Sequence, residues 1–369
     1  MKTRDVYLVS GQTLKDSDTV TIDITKGLKI LYLIVKYSNT NGATSNTLAR
    51  LASMVSKLSV IDGSTVLHAL SMDEEQAWNF YQRGRLPYQS LTQAAAGVVT
   101  EEAIIDFRRS PADTNFYLDT SRYQNPQLQF THSFTVSSTA GFATGDGTLT
   151  VIARVIDSGA DANQGFIMAK EIDSFANAAS GDHNTDLPLD FPISHVIVLN
   201  PVDGDVPDAN NSNFKLTADT DSFIPINESW TDLLQANEDE YGLAEQAINL
   251  LAGTTYTQNT DLYYHVRAAQ TVSGTHIAGI LAAPAGNKIT AAAPGFYGTS
   301  TSANTATTSE ALSIAVRGAA VKSSVAYKFG DGYTPANIFS PTGVGKLQLK
   351  VTMAEAVGTP KVVIVQQHS

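Results

Sequence analysis

A chain of 369 residues with 24 Lys and Arg against 36 Asp and Glu has a formal net charge of −12 and no cationic cluster. Phosphate neutralisation needs such clusters, so a general nucleic-acid binder is excluded. With no cysteine there is no disulfide or thiolate chemistry, and 16 % charged residues with 26 glycines is the balance of a turn-rich all-β protein.

The length suffices for two domains, each with its own core, and no stretch approaches the roughly 20 apolar residues of a membrane-spanning helix. The start, MKTRDVYLVSGQTLKDSD, has neither an apolar core of signal-peptide length nor a small-residue cleavage site, so export by that route is not expected. Residues 1–18 read as an N-terminal arm. Over residues 1–15, Lys2, Arg4 and Lys15 stand against Asp5 alone, which suits an anionic lipid surface or a neighbouring subunit as well as an ordinary frayed terminus. From Thr19 the pattern turns to β: Val20, Ile22 and Ile24 alternate with polar residues, and LKILYLIVKY, residues 28–37, predicts a long, largely buried strand. A turn-rich loop over 39–46 and a short helix over 48–55 follow.

The stretch from Lys57 to Gly84 reads as strand, tight turn at Asp62-Gly63, strand, and a helix that carries Trp78. Ser71 is its N-cap and Glu74 completes a capping box. The same order returns from Lys215 to Gly242 at an offset of 158. Lys57/Lys215, Leu58/Leu216, Ser64/Ser222, Ser71/Ser229, Asn79/Asn237 and Gly84/Gly242 are identical. Ser229 caps the second helix, whose apolar side is Trp230, Leu233, Leu234, Tyr241 and Leu243, and Asp73, Glu74 and Asp232 suit the positive end of the helix dipole. A strand follows each helix, at 103–110 and 262–269. The shared order favours an internal duplication over two hairpin-helix units alike by accident.

Residues 110–126 predict a surface connection, and 127–136 a strand whose apolar face includes His132, read as a hydrogen-bonded core histidine rather than a ligand. Gly145-Asp146-Gly147 makes a turn, and Leu149, Val151, Ala153 and Val155 give the last strand of the first half. Residues 158–192 look like a connector with one strand at 166–172. Ile193 to Leu199 is the counterpart of the long strand, 271–309 is a long insertion suited to partner contacts, and strands at 311–317, 346–353 and 361–365 complete the chain. The fold class is therefore all-β: two tandem eight-stranded jelly-roll sandwiches, each with a short flanking helix. The expected divisions are the arm 1–18, first roll 19–160, connector 161–190, and second roll 191–369 with its insertion at 271–309.

Catalytic patterns are lacking. Gly345-Lys346 is followed by Leu347, so no phosphate loop forms, and neither a G-x-S-x-G elbow nor an H-E-x-x-H pair occurs. Asp203, Asp205 and Asp208, with Asn210 and Asn211, offer oxygen ligands of the kind calcium takes, although the spacing is not that of an EF-hand and an acidic surface turn is the ordinary reading.

The tandem rolls, the order strand, D-G turn, strand, S-x-x-E helix, strand, and the segment AIIDFRRSPADTNFYLDTSRYQNPQLQF resemble double jelly-roll major capsid proteins of tailless icosahedral DNA viruses with an internal membrane. The helix ESWTDLLQANEDEYGL, with Trp230, Asp232, Leu233 and Leu234 in a W-x-D-L-L pattern, is most similar to corticovirus-like phage coat proteins. The resemblance covers most of residues 19–365; the long 271–309 insertion and the short basic arm depart from it. It implies a non-enzymatic shell protein forming homotrimers of nearly hexagonal outline, with 271–309 a tower or an inter-subunit clasp. Implied partners are its own copies, neighbouring capsomers, penton and minor membrane proteins and the viral membrane, without direct nucleic-acid contact. The implied place is the virion, assembled in the host cytoplasm. The rival reading is a carbohydrate-binding or tailspike-like receptor-binding β-sandwich, which needs an exposed aromatic platform or paired acids in a groove.

Overall fold

The computed structural model describes residues 1–46, 49–251, 255–270, 286–292, 311–334 and 336–368. In the first half, β1 (Lys2–Thr13), β2 (Ser17–Asp23), β3 (Lys29–Asn46), β4 (Val55–Asp62) and β5 (Thr65–Leu70) precede α1 (Met72–Arg83). After it come β6 (Gln89–Thr92), β7 (Val98–Asp106), β8 (Leu118–Asp119), β9 (Pro126–Ser133), β10 (Ala140–Phe142) and β11 (Thr148–Ser158). One sheet runs β1-β11-β3-β7 and faces a second, β2-β9-β4-β5.

The second half opens with β12 (Phe166–Ser174), β13 (Gly181–Leu187), β14 (Ile193–Leu199), α2 (Pro207–Asn210), β15 (Asn211–Ala218), β16 (Phe223–Ser229) and α3 (Trp230–Tyr241). It continues with β17 (Ala244–Leu251), β18 (Thr255–Asn259), β19 (Leu262–Gln270), β20 (Lys288–Ala292), β21 (Ala311–Val321), β22 (Ser324–Lys328), β23 (Leu347–Met353) and β24 (Lys361–His368). Its sheets are β12-β24-β14-β22 and β13-β23-β15-β16. Taking the eight sandwich strands of each half in chain order, both halves arrange them 1-8-3-6 and 2-7-4-5, which is the jelly-roll order.

Several expectations change. The first residues are not an arm: β1 pairs antiparallel with β11, from Lys2↔Ser158 to Thr13↔Thr148, and is the first strand of the first roll. As an edge strand with three register shifts it shows little alternation, which hides it in the sequence. The connector expected at 161–190 holds the first two strands of the second roll. β13 buries only Thr185 and Leu187, so it looks like linker. The sixth strand of the second roll is β22 and not the 262–269 segment. The short helix expected at 48–55 is a single 3-10 turn, Ala52–Met54. Of the 271–309 insertion, residues 286–292 carry β20, paired with β18, while the tower or clasp expected of 271–285 and 293–309 lies outside the described residues.

The chain between α3 and β22 crosses back to the first half. There β17, β21 and β19 extend the first roll's sheet in the order β7-β6-β17-β21-β19. Two parallel seams result, at Leu91↔Ile248 and at Ala69↔Lys170, and the second joins β2-β9-β4-β5 to β12-β24-β14-β22 in one eight-stranded sheet. Consequently β14 is buried along its whole length and β24 from Val362 to Gln367. Val196, Val198, Val362 and Ile364 face the second core. Ile197, Leu199, Val363 and Val365 join the first core with Trp78, Phe80 and Tyr81. An apolar run without alternation is the mark of a strand covered on both faces.

Candidate functional site: the junction between the rolls

The two helices stand at the same place in their rolls. Ser71 Oγ accepts from the Glu74 N–H at 3.4 Å while Glu74 Oε2 accepts from the Ser71 N–H at 2.5 Å, and Ser229 Oγ accepts from the Asp232 N–H at 3.1 Å. Gly84 and Gly242 end the helices with φ of +68° and +74°, backbone that favours glycine. Between cap and end, Asn79 Nδ2 donates to Ile104 O at 2.6 Å and its Oδ1 accepts from the Ile104 N–H at 2.8 Å. Asn237 repeats this on β22: its Nδ2 donates to Ala326 O at 2.8 Å, and its Oδ1 accepts from the Ala326 N–H at 2.7 Å. Each amide behaves as one residue of an extra strand and satisfies an open sheet edge. The sequence repeat is thus a repeat in space.

Helix α1 lies against the second roll. The Trp78 indole packs edge-on to the His195 ring at 5.0 Å, and Tyr81 Oη donates to Ser324 O at 2.9 Å. Burial, with Lys328 nearby, pushes His195 down to about 3 and keeps it neutral. Lys361 Nζ sits 3.2 Å from both Glu74 Oε1 and Glu171 Oε2. Burial, and then a shared proton with Glu171, push Glu74 up to about 7 against the pull of Lys361.

Beside this contact, five ionic groups close over the second half's excursion. Asp261 accepts from Lys322 Nζ at 2.6 Å, Arg50 Nη2 at 2.7 Å, Gln89 Nε2 at 3.0 Å and Gln246 Nε2 at 2.5 Å. Lys322 also reaches Asp73 at 2.8 Å, and Arg50 lies 3.7 Å from Glu101. Burial alone would raise the Asp261 carboxyl and lower the Lys322 ammonium. Facing each other, with Arg50 and Asp73 alongside, the aspartate falls well below its ordinary range and the lysine rises above its own, so both stay charged. Lys322 and Ser323 adopt φ of +55° and +57°, the tight turn by which the chain leaves β21 for β22. Its buried charges are paired with one another, so this centre ties the two halves together as a clasp.

Of the residues marked in the sequence, Ser71, Trp78, Trp230, Leu233 and Leu234 are buried in or beside the helices, and Ser229 is half-buried. His132 is buried and bonded to Lys15 O at 2.8 Å. The acidic turn is drawn apart into braces: Asp203 accepts from Asn259 Nδ2 at 2.6 Å and Asn287 Nδ2 at 2.8 Å, Asp208 accepts from the Thr231 hydroxyl at 3.1 Å, and Asp205 is in the turn before α2. Among the described residues, no group of three or more His, Asp or Glu is placed to hold a metal ion. Lys2 lies in β1, Arg4 pairs with Asp157 at 3.0 Å, and Lys15 with Asp18 at 3.2 Å. Sequence reading passed over Arg50, Asp261 and Lys322, which carry no local signal. The Asn79/Asn237 identity was visible, though not its purpose.

No family model and no curated protein matches the chain. Solved structures do. The major capsid protein of bacteriophage PM2 aligns at TM-score 0.53 with 12 % identity, covering 99 % of this chain and 96 % of that one. The STIV major capsid protein aligns at TM-score 0.57 with 11 % identity, covering 100 % and 97 %. A chain of the PBCV-1 virus capsid aligns at TM-score 0.59 with 9 % identity, covering 99 % and 93 %. At these identities the likeness is one of fold: the chain has the double jelly-roll fold of viral major capsid proteins.

Proposed function

We propose that this chain is a viral major capsid protein whose homotrimers, pseudo-hexameric in outline, tile an icosahedral shell around an internal membrane. What carries the reading is the head-to-tail contact inside the chain. The first roll gives α1 and the edge strand β5; the second gives the outer face of β12-β24-β14-β22. The second roll's own helix and edge strand β16, and the first roll's own outer face with edge strand β1, are left over. Repeated between copies, such a heterologous contact makes a ring when its rotation closes, and three chains give six rolls. The full-length likeness to capsid structures supports the same reading.

In this reading the protein is structural and catalyses nothing, its partners are its own copies and neighbouring capsomers, and it resides in the virion after assembly in the host cytoplasm. Lys2 and Arg4, at the first end of β1, are the groups offered to the membrane, while Lys15 lies past the strand's other end; penton and minor membrane proteins would fill the remaining positions. Light scattering and electron microscopy of the purified protein test it. The expected particle has three chain masses and a near-hexagonal outline, and a monomer at every concentration rules the reading out.

A further inference from the structure

The ladders align the two rolls residue by residue. In the second, Ala326, Ile197, Val363 and Glu171 form a row across β22, β14, β24 and β12; in the first, Ile104, Ile34, Ile152 and Tyr7 form it across β7, β3, β11 and β1. Asn237 bonds Ala326 as Asn79 bonds Ile104, which fixes the alignment. The second roll's row is packed against α1 at Ile197, Val363 and Ala326. In the first roll, Ile34, Ile104 and Ile152 are only half-buried and Tyr7 is 61 % exposed. Three isoleucines pointing away from their own core are what a strand covered on both faces carries.

The helices mirror this. Glu74, Trp78 and Tyr81 of α1 touch the second roll and are buried; 158 residues on, Asp232, Ala236 and Asp239 of α3 are exposed. Helix α3 carries Asp232, Glu238, Asp239 and Glu240 and no basic residue. Around the uncovered row stand Lys36 and the three arginines that surround Tyr32, Arg83, Arg108 and Arg154, against the carboxylates Asp5, Glu102 and Asp106. An acidic helix and a face with one cation in excess are complementary.

We propose that α3 of one copy docks on the outer face of β1-β11-β3-β7 of the next, as α1 docks on β12-β24-β14-β22 within each chain. The proposal rests on the trimeric reading and adds its contact surface. The absence of native cysteine makes the test clean. Asp232 and Thr150 are the counterparts of Glu74 and Lys361, whose side chains meet at 3.2 Å. A chain carrying both Asp232→Cys and Thr150→Cys, treated with a short bis-maleimide, is expected to give covalent dimers and trimers on a denaturing gel, and each single variant none. Light scattering on the same samples separates the failures. Trimers without cross-links, or cross-links equally strong in a single variant, overturn this surface and leave the trimer standing, whereas a monomeric wild type removes both. Ile34→Glu should raise the dissociation constant of the trimer at least tenfold with the circular dichroism of the monomer unchanged; an unaltered dissociation constant also overturns the surface.

Discussion

Helices α1 and α3 are two copies of one device in different company. They have the same length, serine cap, asparagine bridge and terminal glycine, yet α1 buries ten of its twelve residues and α3 four. Local sequence sets where each helix starts and stops; what lies on its far side sets its burial. The enclosed copy pairs its polar groups, as with His68 Nε2 and Glu75 Oε2 at 2.5 Å. At the same positions 158 residues on, the second roll has Ile226 and Leu233, both buried in its core. A buried hydrogen-bonded pair and an apolar pair therefore solve the same packing problem.

Losing the charge that holds the α1 side together should do the most damage. Asp261→Leu strands Arg50 and Lys322 in the interior and should cost about 3–5 kcal/mol in urea unfolding, while Glu238→Leu on the α3 side should cost under about 1 kcal/mol. Equal losses would mean that the junction is not pinned electrostatically. Next, Glu75→Leu alone should lose about 3 kcal/mol, because the buried His68 and Asn79 lose their acceptor, whereas His68→Ile with Glu75→Leu should return to within about 1 kcal/mol of wild type. A double variant as poor as the single would show that the two rolls' solutions are not interchangeable.

Asn79→Ala and Asn237→Ala each leave one N–H and one carbonyl of a sheet edge without partner. They should cost about 2 kcal/mol apiece, alike within error, and a one-sided loss would break the equivalence. The smallest effect is one of pH. Glu74, at about 7 in the fold against an ordinary 4.5, holds a proton that the unfolded chain gives up earlier. Stability therefore declines as pH rises from about 4.5 to 7 and is flat beyond. Glu74→Gln should remove that slope in Tm measured from pH 5 to 8, and Asp232→Asn, its exposed counterpart, should leave it unchanged.

What the sequence disclosed was local. Period-two alternation located most strands, and the Ser71 and Ser229 caps located the start of both helices to the residue, because neither signal depends on distant chain. What it concealed was pairing. β1 and β13 carry too few apolar residues to read as strands until their partners β11 and β23 are known. LYYHVRAA alternates as well as a sixth strand should, and only the ladder tells that five-residue β22 holds that position. The clasp joins positions 50, 73, 101, 261 and 322, a set that no spacing could announce.

The excursion that returns β17, β21 and β19 to the first roll also orders events on the ribosome. The first sheet stays unfinished until residue 321 has emerged, by which time more than three quarters of the polypeptide must be kept from sticking to its neighbours. Neither half is a module to be cut out and expressed alone. Cells making this protein in quantity hold many such half-built chains at once, and the long wait for distant strands is where chaperones would earn their keep.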